Sequence, residues 1–205
     1  MTIRIISGSA RGRRLRNFTG QNVRPTSDRV REALFSMLAS RLGSFQGLNV
    51  LDLFAGSGAL GIEALSSGAG HACFVDQDRR SLQLIRDNLA LCHFLEQATI
   101  ISRSVATSLP SLLPFAPFDL VFLDPPYKFE LGEKTLKILT QSEMMAEGSW
   151  LCAETDVGET MPESSDGFKR LHDKVYGRTR ITLSPTTPPQ LPVNPTRLMP
   201  FSTHN

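Results

Sequence analysis

The sequence predicts an α/β chain built on a doubly wound, mostly parallel sheet with helices on both faces. Three observations predict it. From Leu48 onward, short apolar strands alternate with amphipathic helices at the spacing of βαβ units. Runs such as Val50-Leu51-Asp52-Leu53-Phe54 and Leu120-Val121-Phe122-Leu123 are nearly all apolar, as strands covered on both sides must be. The first of these runs feeds a glycine-rich turn and then a helix, as a ligand-binding strand-turn-helix unit does.

Taken in order, residues 3–6 read as a short strand, and Gly8, Gly12 and Gly20 punctuate an arginine-rich loop or hairpin. Thr26-Ser27-Asp28 supplies helix N-cap candidates and a first-turn acid, and Val30, Leu34, Leu38 and Leu42 follow at a helical period. Strands are expected over 48–54, 72–75, 99–101, 120–123 and 150–154, and helices over 59–66, 79–91 and 133–141. Segments 170–176 and 178–183, joined at Gly177, read as a closing antiparallel hairpin. From Ser184 the chain carries Pro185, Pro188, Pro189, Pro192, Pro195 and Pro200, a spacing that forbids a helix and favours an extended, disordered tail. The expected division is therefore a basic arm and helix (1–41), an α/β domain (42–183) and a proline-rich tail (184–205), and no role is assigned to the tail.

With 205 residues and 22.6 kDa the chain is sized for one globular domain with a real core. No apolar run reaches the ~18 residues of a membrane span, and Met1-Thr2-Ile3-Arg4-Ile5-Ile6 lacks the pattern of a signal peptide. Cys73, Cys92 and Cys152 have neither metal-ligand spacing nor an even number, which suits a reducing, cytoplasmic setting without a disulfide framework or a metal site. The net charge of +2 hides an asymmetry. Residues 1–41 hold nine arginines, no lysine, and the acids Asp28 and Glu32, so they carry +7 and the rest −5. Arginine offers a planar donor fork that grips phosphate in two places and stacks on bases. A basic head on a mildly acidic body points to a polyanion partner such as nucleic acid, or to a solvated charged arm; charge alone leaves both readings standing.

Three motifs carry chemistry. Gly56-Ser57-Gly58-Ala59-Leu60-Gly61 follows the strand bearing Asp52 and Phe54, and Asp76 lies 20 residues after Gly56. That pattern suits NAD and S-adenosylmethionine equally, since a carboxylate at the next strand end accepts ribose hydroxyls in either. Asp78 reads as the cap of the helix that follows. The third motif, Asp124-Pro125-Pro126-Tyr127, ends a buried strand. Two prolines stiffen the turn and present carbonyls, Asp124 adds an acceptor and Tyr127 a flat face. Together they suit a planar base held by stacking while acceptors receive the hydrogens of its exocyclic amine. A dehydrogenase has no use for that arrangement, and His71, His93, His172 and His204 offer no hydride-transfer acid/base.

On these residues the chain resembles class I S-adenosylmethionine-dependent methyltransferases, whose Rossmann-like sheet has seven strands. More narrowly it resembles the bacterial 16S ribosomal RNA guanine-N2 methyltransferases of the RsmD family. The narrower likeness rests on Ile5-Ile6-Ser7-Gly8, Arg11-Gly12-Arg13-Arg14-Leu15, the segment from Arg24-Pro25-Thr26 to Phe35, and Tyr176-Gly177-Arg178-Thr179-Arg180. The resemblance implies S-adenosylmethionine as cofactor, with Gly56 and Gly58 at its methionine portion, Asp76 at its ribose, and Ser104 and Val105 flanking its adenine. Asp52 and Phe54 fall in the same cofactor-binding set. It implies Asp124 and the Pro125 carbonyl as amine acceptors, with Pro126 and Tyr127 completing the pocket. It also implies Arg11, Arg13, Arg14, Arg16, Arg24 and Arg29 as RNA contacts, 16S RNA within the small subunit as partner, and a monomer. Many relatives of the wider class carry an acid where Ser104 stands. The alternatives are a DNA adenine-N6 methyltransferase, which normally needs a larger target-recognition region; a protein glutamine methyltransferase, which favours Asn at position 124; and a non-catalytic RNA-binding assembly factor, which has no need of an intact Asp124 motif.

Overall fold

The computed structural model describes residues 3–18, 28–125, 130–142, 144–159, 164–165 and 168–185. The elements in chain order are β1 (Ile3–Arg4), β2 (Arg14–Leu15), α1 (Asp28–Leu42), β3 (Asn49–Leu53), α2 (Ala59–Ser66), β4 (His71–Asp76) and α3 (Arg79–Cys92). They continue with β5 (Ala98–Ser102), α4 (Val105–Leu112), β6 (Phe118–Leu123), α5 (Glu130–Gln141) and β7 (Met145–Asp156). The chain then runs through β8 (Ser164–Ser165), β9 (Phe168–Lys169), β10 (His172–Tyr176) and β11 (Thr179–Pro185). Seven strands form one sheet in the order β10-β11-β7-β6-β3-β4-β5. β5, β4, β3, β6 and β7 are mutually parallel, and β11 runs antiparallel between β7 and β10. The predicted doubly wound sheet and closing hairpin are both present. The order reverses between β3 and β6, the switch point at which such sheets open a crevice beyond their carboxyl ends.

Strand alternation divides the core in two. Val50, Phe74, Phe122, Cys152, Ile181 and Leu183 face α1, α2 and α3, meeting Leu34, Leu38, Ile62, Ile85 and Leu89. Leu51, Leu53, Val75, Val121 and Ala153 face α4 and α5, meeting Val105, Leu112, Leu136 and Leu139. The basic arm joins the first core: Ile3, Ile5, Ala10 and Leu15 are buried in it with α1. β1 and β2 pair antiparallel, which realises the expected hairpin.

Several boundaries move. α4 has no counterpart among the expected helices, because Pro110 lies inside it and its serine and threonine side chains favour turns. The helix is carried by Val105, Ser108 and Leu112, buried at helical spacing against the second core. β7 begins five residues ahead of the expected strand, and α5 begins three residues early. β11 continues through Ser184 and Pro185, paired with Leu151 and Trp150, so the tail boundary at 184 falls two residues too soon. Ser184 is fully buried there, and Pro185 ends the strand, where a missing N–H costs least. The β8–β9 hairpin has no expectation attached to it. The tail beyond Pro185, Thr26, Ser27, Arg24, Pro126 and Tyr127 lie outside the described residues.

Candidate active site

The site is built where β3, β4, β5 and β6 end. Asp52 lies on β3 facing the first core, level with Phe122 on β6 and Cys152 on β7. Two positions further on, the same face carries Asp124 after β6 and Glu154 on β7. Three carboxyl groups thus gather at one corner of the sheet. Burial pushes Asp52 up to about 8, against the lowering effect of the Gly61 amide and with a further push from Asp76. Burial, and then the charges of Glu154 and Asp52, hold Asp124 well above the usual carboxylate range. Among the described residues, no donor hydrogen-bonds the Asp124 side chain. Its backbone amide reaches back to the Leu53 carbonyl (3.5 Å), which ties it to the β3 end.

The glycine turn is held from inside. Asp76 accepts the N–H of Gly56 on one oxygen (2.9 Å) and that of Asp78 on the other (2.8 Å). Asp52 accepts the N–H of Gly61 (2.9 Å), and Gly58 donates to the Ala55 carbonyl (2.7 Å). Gly58 stands at φ 75° as the helix cap, and a Cβ on Gly61 would come within 2.4 Å of the Phe74 ring, so neither position accepts a side chain. Phe54, immediately before the turn, sits at φ 58°. A bulky residue in the left-handed region is strained, and such strain collects at binding sites.

The other predicted cofactor residues are here too. Ser104 precedes α4 and Val105 begins it; the Ser104 hydroxyl shares a hydrogen bond with that of Thr107 (2.9 Å). Asp78 caps α3 through the amide of Arg80, as expected. The predicted RNA arginines separate into two groups. Arg13 donates to the Leu91 carbonyl and Arg16 pairs with Asp87 (2.7 Å), both on α3. Arg11, Arg14 and Arg29 are exposed and make no ion pair among the described residues. Arg31, to which the sequence assigns no role, is fully buried and donates to Asp28 (2.9 Å) and to the Arg4 carbonyl, pinning α1 to β1.

Three side chains in or supporting the candidate site do not announce themselves in the sequence. Glu154 reads there only as the end of a strand, although an acid in so apolar a run is an available signal. Glu63 on α2, with no exposed surface, accepts from the amides of Ile6 and Ser7 and from the Ser7 hydroxyl, and so clasps the arm. Asn88 on α3 reaches both the arm and the glycine turn. Neither Glu63 nor Asn88 can be paired with its partner without the register of the fold. Among the described residues no cluster of three or more His, Cys, Asp or Glu is placed to hold a metal, and no helix is long and apolar enough to cross a membrane.

The model of a family described as Conserved hypothetical protein 95 matches residues 3–184. The chain is 35% identical over 181 residues to ribosomal RNA small subunit methyltransferase D of Escherichia coli, covering 88% of each chain. It is 37% identical over 155 residues to the protein of that name from Haemophilus influenzae, covering 75% of this chain and 79% of that one. Among solved structures, the candidate methyltransferase yhhF of Escherichia coli superposes with a TM-score of 0.76 at 32% identity, covering 91% of this chain and 99% of its own.

Proposed function

The chain belongs to the RsmD family, described as Conserved hypothetical protein 95, and on that premise we propose that it transfers a methyl group from S-adenosylmethionine to the exocyclic N2 amine of a guanine in 16S ribosomal RNA. The relatives' names support ribosomal RNA as the substrate. The observation that carries the chemistry is the corner of carboxyl groups around a glycine turn whose Gly56 amide is already bonded to Asp76. A dinucleotide site must offer such amides to a pyrophosphate. Here the Gly56 amide is bonded to Asp76, so a pyrophosphate would meet a carboxylate there instead. A cationic cofactor fits the same wall.

When bound, S-adenosylmethionine supplies a methyl group activated by a positive sulfonium. Asp76 retains lone pairs for ribose hydroxyls, the turn from Gly56 to Gly58 would lie along the methionine portion, and Ser104 and Val105 would border the adenine. The guanine amine is a poor nucleophile because its lone pair is delocalised into the ring. Asp124 and the Pro125 carbonyl then serve as acceptors that draw the amine hydrogens out of the ring plane, and Tyr127 as the stacking platform. A base held this way must be unpaired or extruded from its helix.

The test is to offer cofactor labelled in its methyl group with 16S RNA, small subunits, DNA and protein in separate reactions. Label is expected in RNA or subunits alone. Label in DNA would instead support the adenine-methylating alternative, and none in any substrate would support a non-catalytic factor.

A further inference from the structure

Asn88 is fully buried on α3 and holds three backbone groups with one carboxamide. Its Oδ1 accepts the N–H of Arg16 (2.7 Å), and its Nδ2 donates to the carbonyls of Arg16 (3.0 Å) and Ser57 (2.9 Å). Arg16 follows β2 in the basic arm, and Ser57 is the middle residue of the glycine turn. These residues lie far from Asn88 and from each other in sequence, and the buried side chain is their common anchor. The arm is seated on the same helix at two further points, Arg13 on the Leu91 carbonyl and Arg16 on Asp87 (2.7 Å). The turn is pinned at Gly56 by Asp76 and at Gly61 by Asp52. Those two pins belong to neighbouring strands. The Asn88 carboxamide joins the turn to the arm directly, through Ser57 on one side and Arg16 on the other.

We propose that Asn88 is a positioning residue that couples the basic arm to the glycine turn, so that RNA seated on the arm and cofactor seated on the turn strengthen each other's binding. The coupling rests on the methyltransferase function proposed for this site. A carboxamide hydrogen-bonded to Arg16 in both directions follows that backbone as a paired strand would. Any shift of the arm at Arg16 therefore moves the group that holds Ser57. Gly56 and Gly58 adjoin Ser57, so the shift arrives where the cofactor would lie. By linkage the coupling is reciprocal, and a coupling of ordinary size is at least about fivefold in affinity.

The measurement is the dissociation constant of S-adenosylhomocysteine, alone and with saturating small ribosomal subunits that lack the modification. The unaltered protein is expected to bind S-adenosylhomocysteine about fivefold or more tightly with subunits present. Asn88→Asp keeps the acceptor for the Arg16 amide and loses both donations, so the ratio should fall towards one while S-adenosylhomocysteine still binds. A merely structural role would lower the folded fraction and leave the ratio of the folded protein unchanged, and that result overturns the proposal. Hydrogen exchange on the unaltered protein supplies a test independent of any variant's folding: subunits alone should slow the amides of residues 55–61, and an unchanged rate contradicts the coupling. Binding of both partners with a ratio of one sinks the coupling alone. Binding of neither overturns the functional reading and this proposal with it.

Discussion

Asp124 and Asp52 stand in the same acidic corner yet have different tasks. Asp124 has no donor among the described residues, and under the proposed function it is the acceptor for the target amine. Replacing it with Ala should cut turnover by about a hundredfold or more, as loss of a transition-state acceptor does, while the affinity for cofactor changes little. Asp124→Asn keeps a carbonyl acceptor and should retain far more activity than Asp124→Ala; equal inactivity of both, in single-turnover assays, would assign Asp124 to proton removal instead. Asp52 is raised from 3.8 to about 8, so the folded state binds its proton more tightly than the unfolded chain does. Its contribution to stability is then complete below about pH 4 and is lost as the pH climbs to about 8. Asp52→Asn keeps the acceptor for Gly61 and should flatten that decline in denaturant titrations across the interval. A slope identical to that of the parent would mean that Asp52 ionises normally. In the sequence, Asp124 is legible by its prolines, and Asp76 by its distance from the glycines. That Asp76 already grips Gly56 is not legible there, because the bond depends on how β3 and β4 sit in register.

Among the elements, the Ile-Ser-Gly stretch after β1 is explained by docking on α2. Gly8 stands at φ 74°, and a Cβ there would lie 1.5 Å from the Ser66 carbonyl oxygen. The Ser66 carbonyl also accepts the Ser9 amide, and its hydroxyl accepts the Ala10 amide and donates to the Ser7 carbonyl. Gly8→Ala must therefore lift the arm from α2 as well as bear a left-handed alanine, itself about 1–2 kcal/mol. Glu63→Ala removes the acceptor of the half-buried Ile6 and Ser7 amides, a loss of about 0.5–1.5 kcal/mol for each hydrogen bond. Both variants should lower the thermal midpoint and expose residues 3–15 to protease before the sheet unfolds; resistance equal to the parent's would show that the arm is held by its apolar residues alone. Most elements are legible because buried parallel strands and amphipathic helices alternate so regularly. α4 is not, since its three buried positions are interleaved with proline and hydroxyl residues that locally favour a turn, and only packing on the second core outweighs them.

For the protein in its entirety, the arginine-rich head is both structural and electrostatic. Arg31 and Arg41 serve the fold, the one beneath β1 and the other over the Trp150 ring at 5.7 Å, and Arg13 and Arg16 fasten the arm to α3. Charge counting along the sequence cannot separate these from Arg11 and Arg14, because the difference is whether an acceptor lies alongside in the fold. Arg11→Gln with Arg14→Gln is thus the clean probe of RNA binding. For each phosphate released, the log–log salt dependence of RNA binding should fall by about 0.7–0.9, with cofactor affinity unaltered. An unchanged slope would move the RNA surface elsewhere. Whether the acceptor-lined corner beside the glycine turn methylates a guanine amine is decided by chemistry on the product. The measurement digests 16S RNA from treated small subunits to nucleosides and identifies the one that carries the labelled methyl group. N2-methylguanosine is expected with the parent protein, and none with Asp124→Ala. Label on a ring nitrogen, on a ribose, or on adenosine would contradict the assignment.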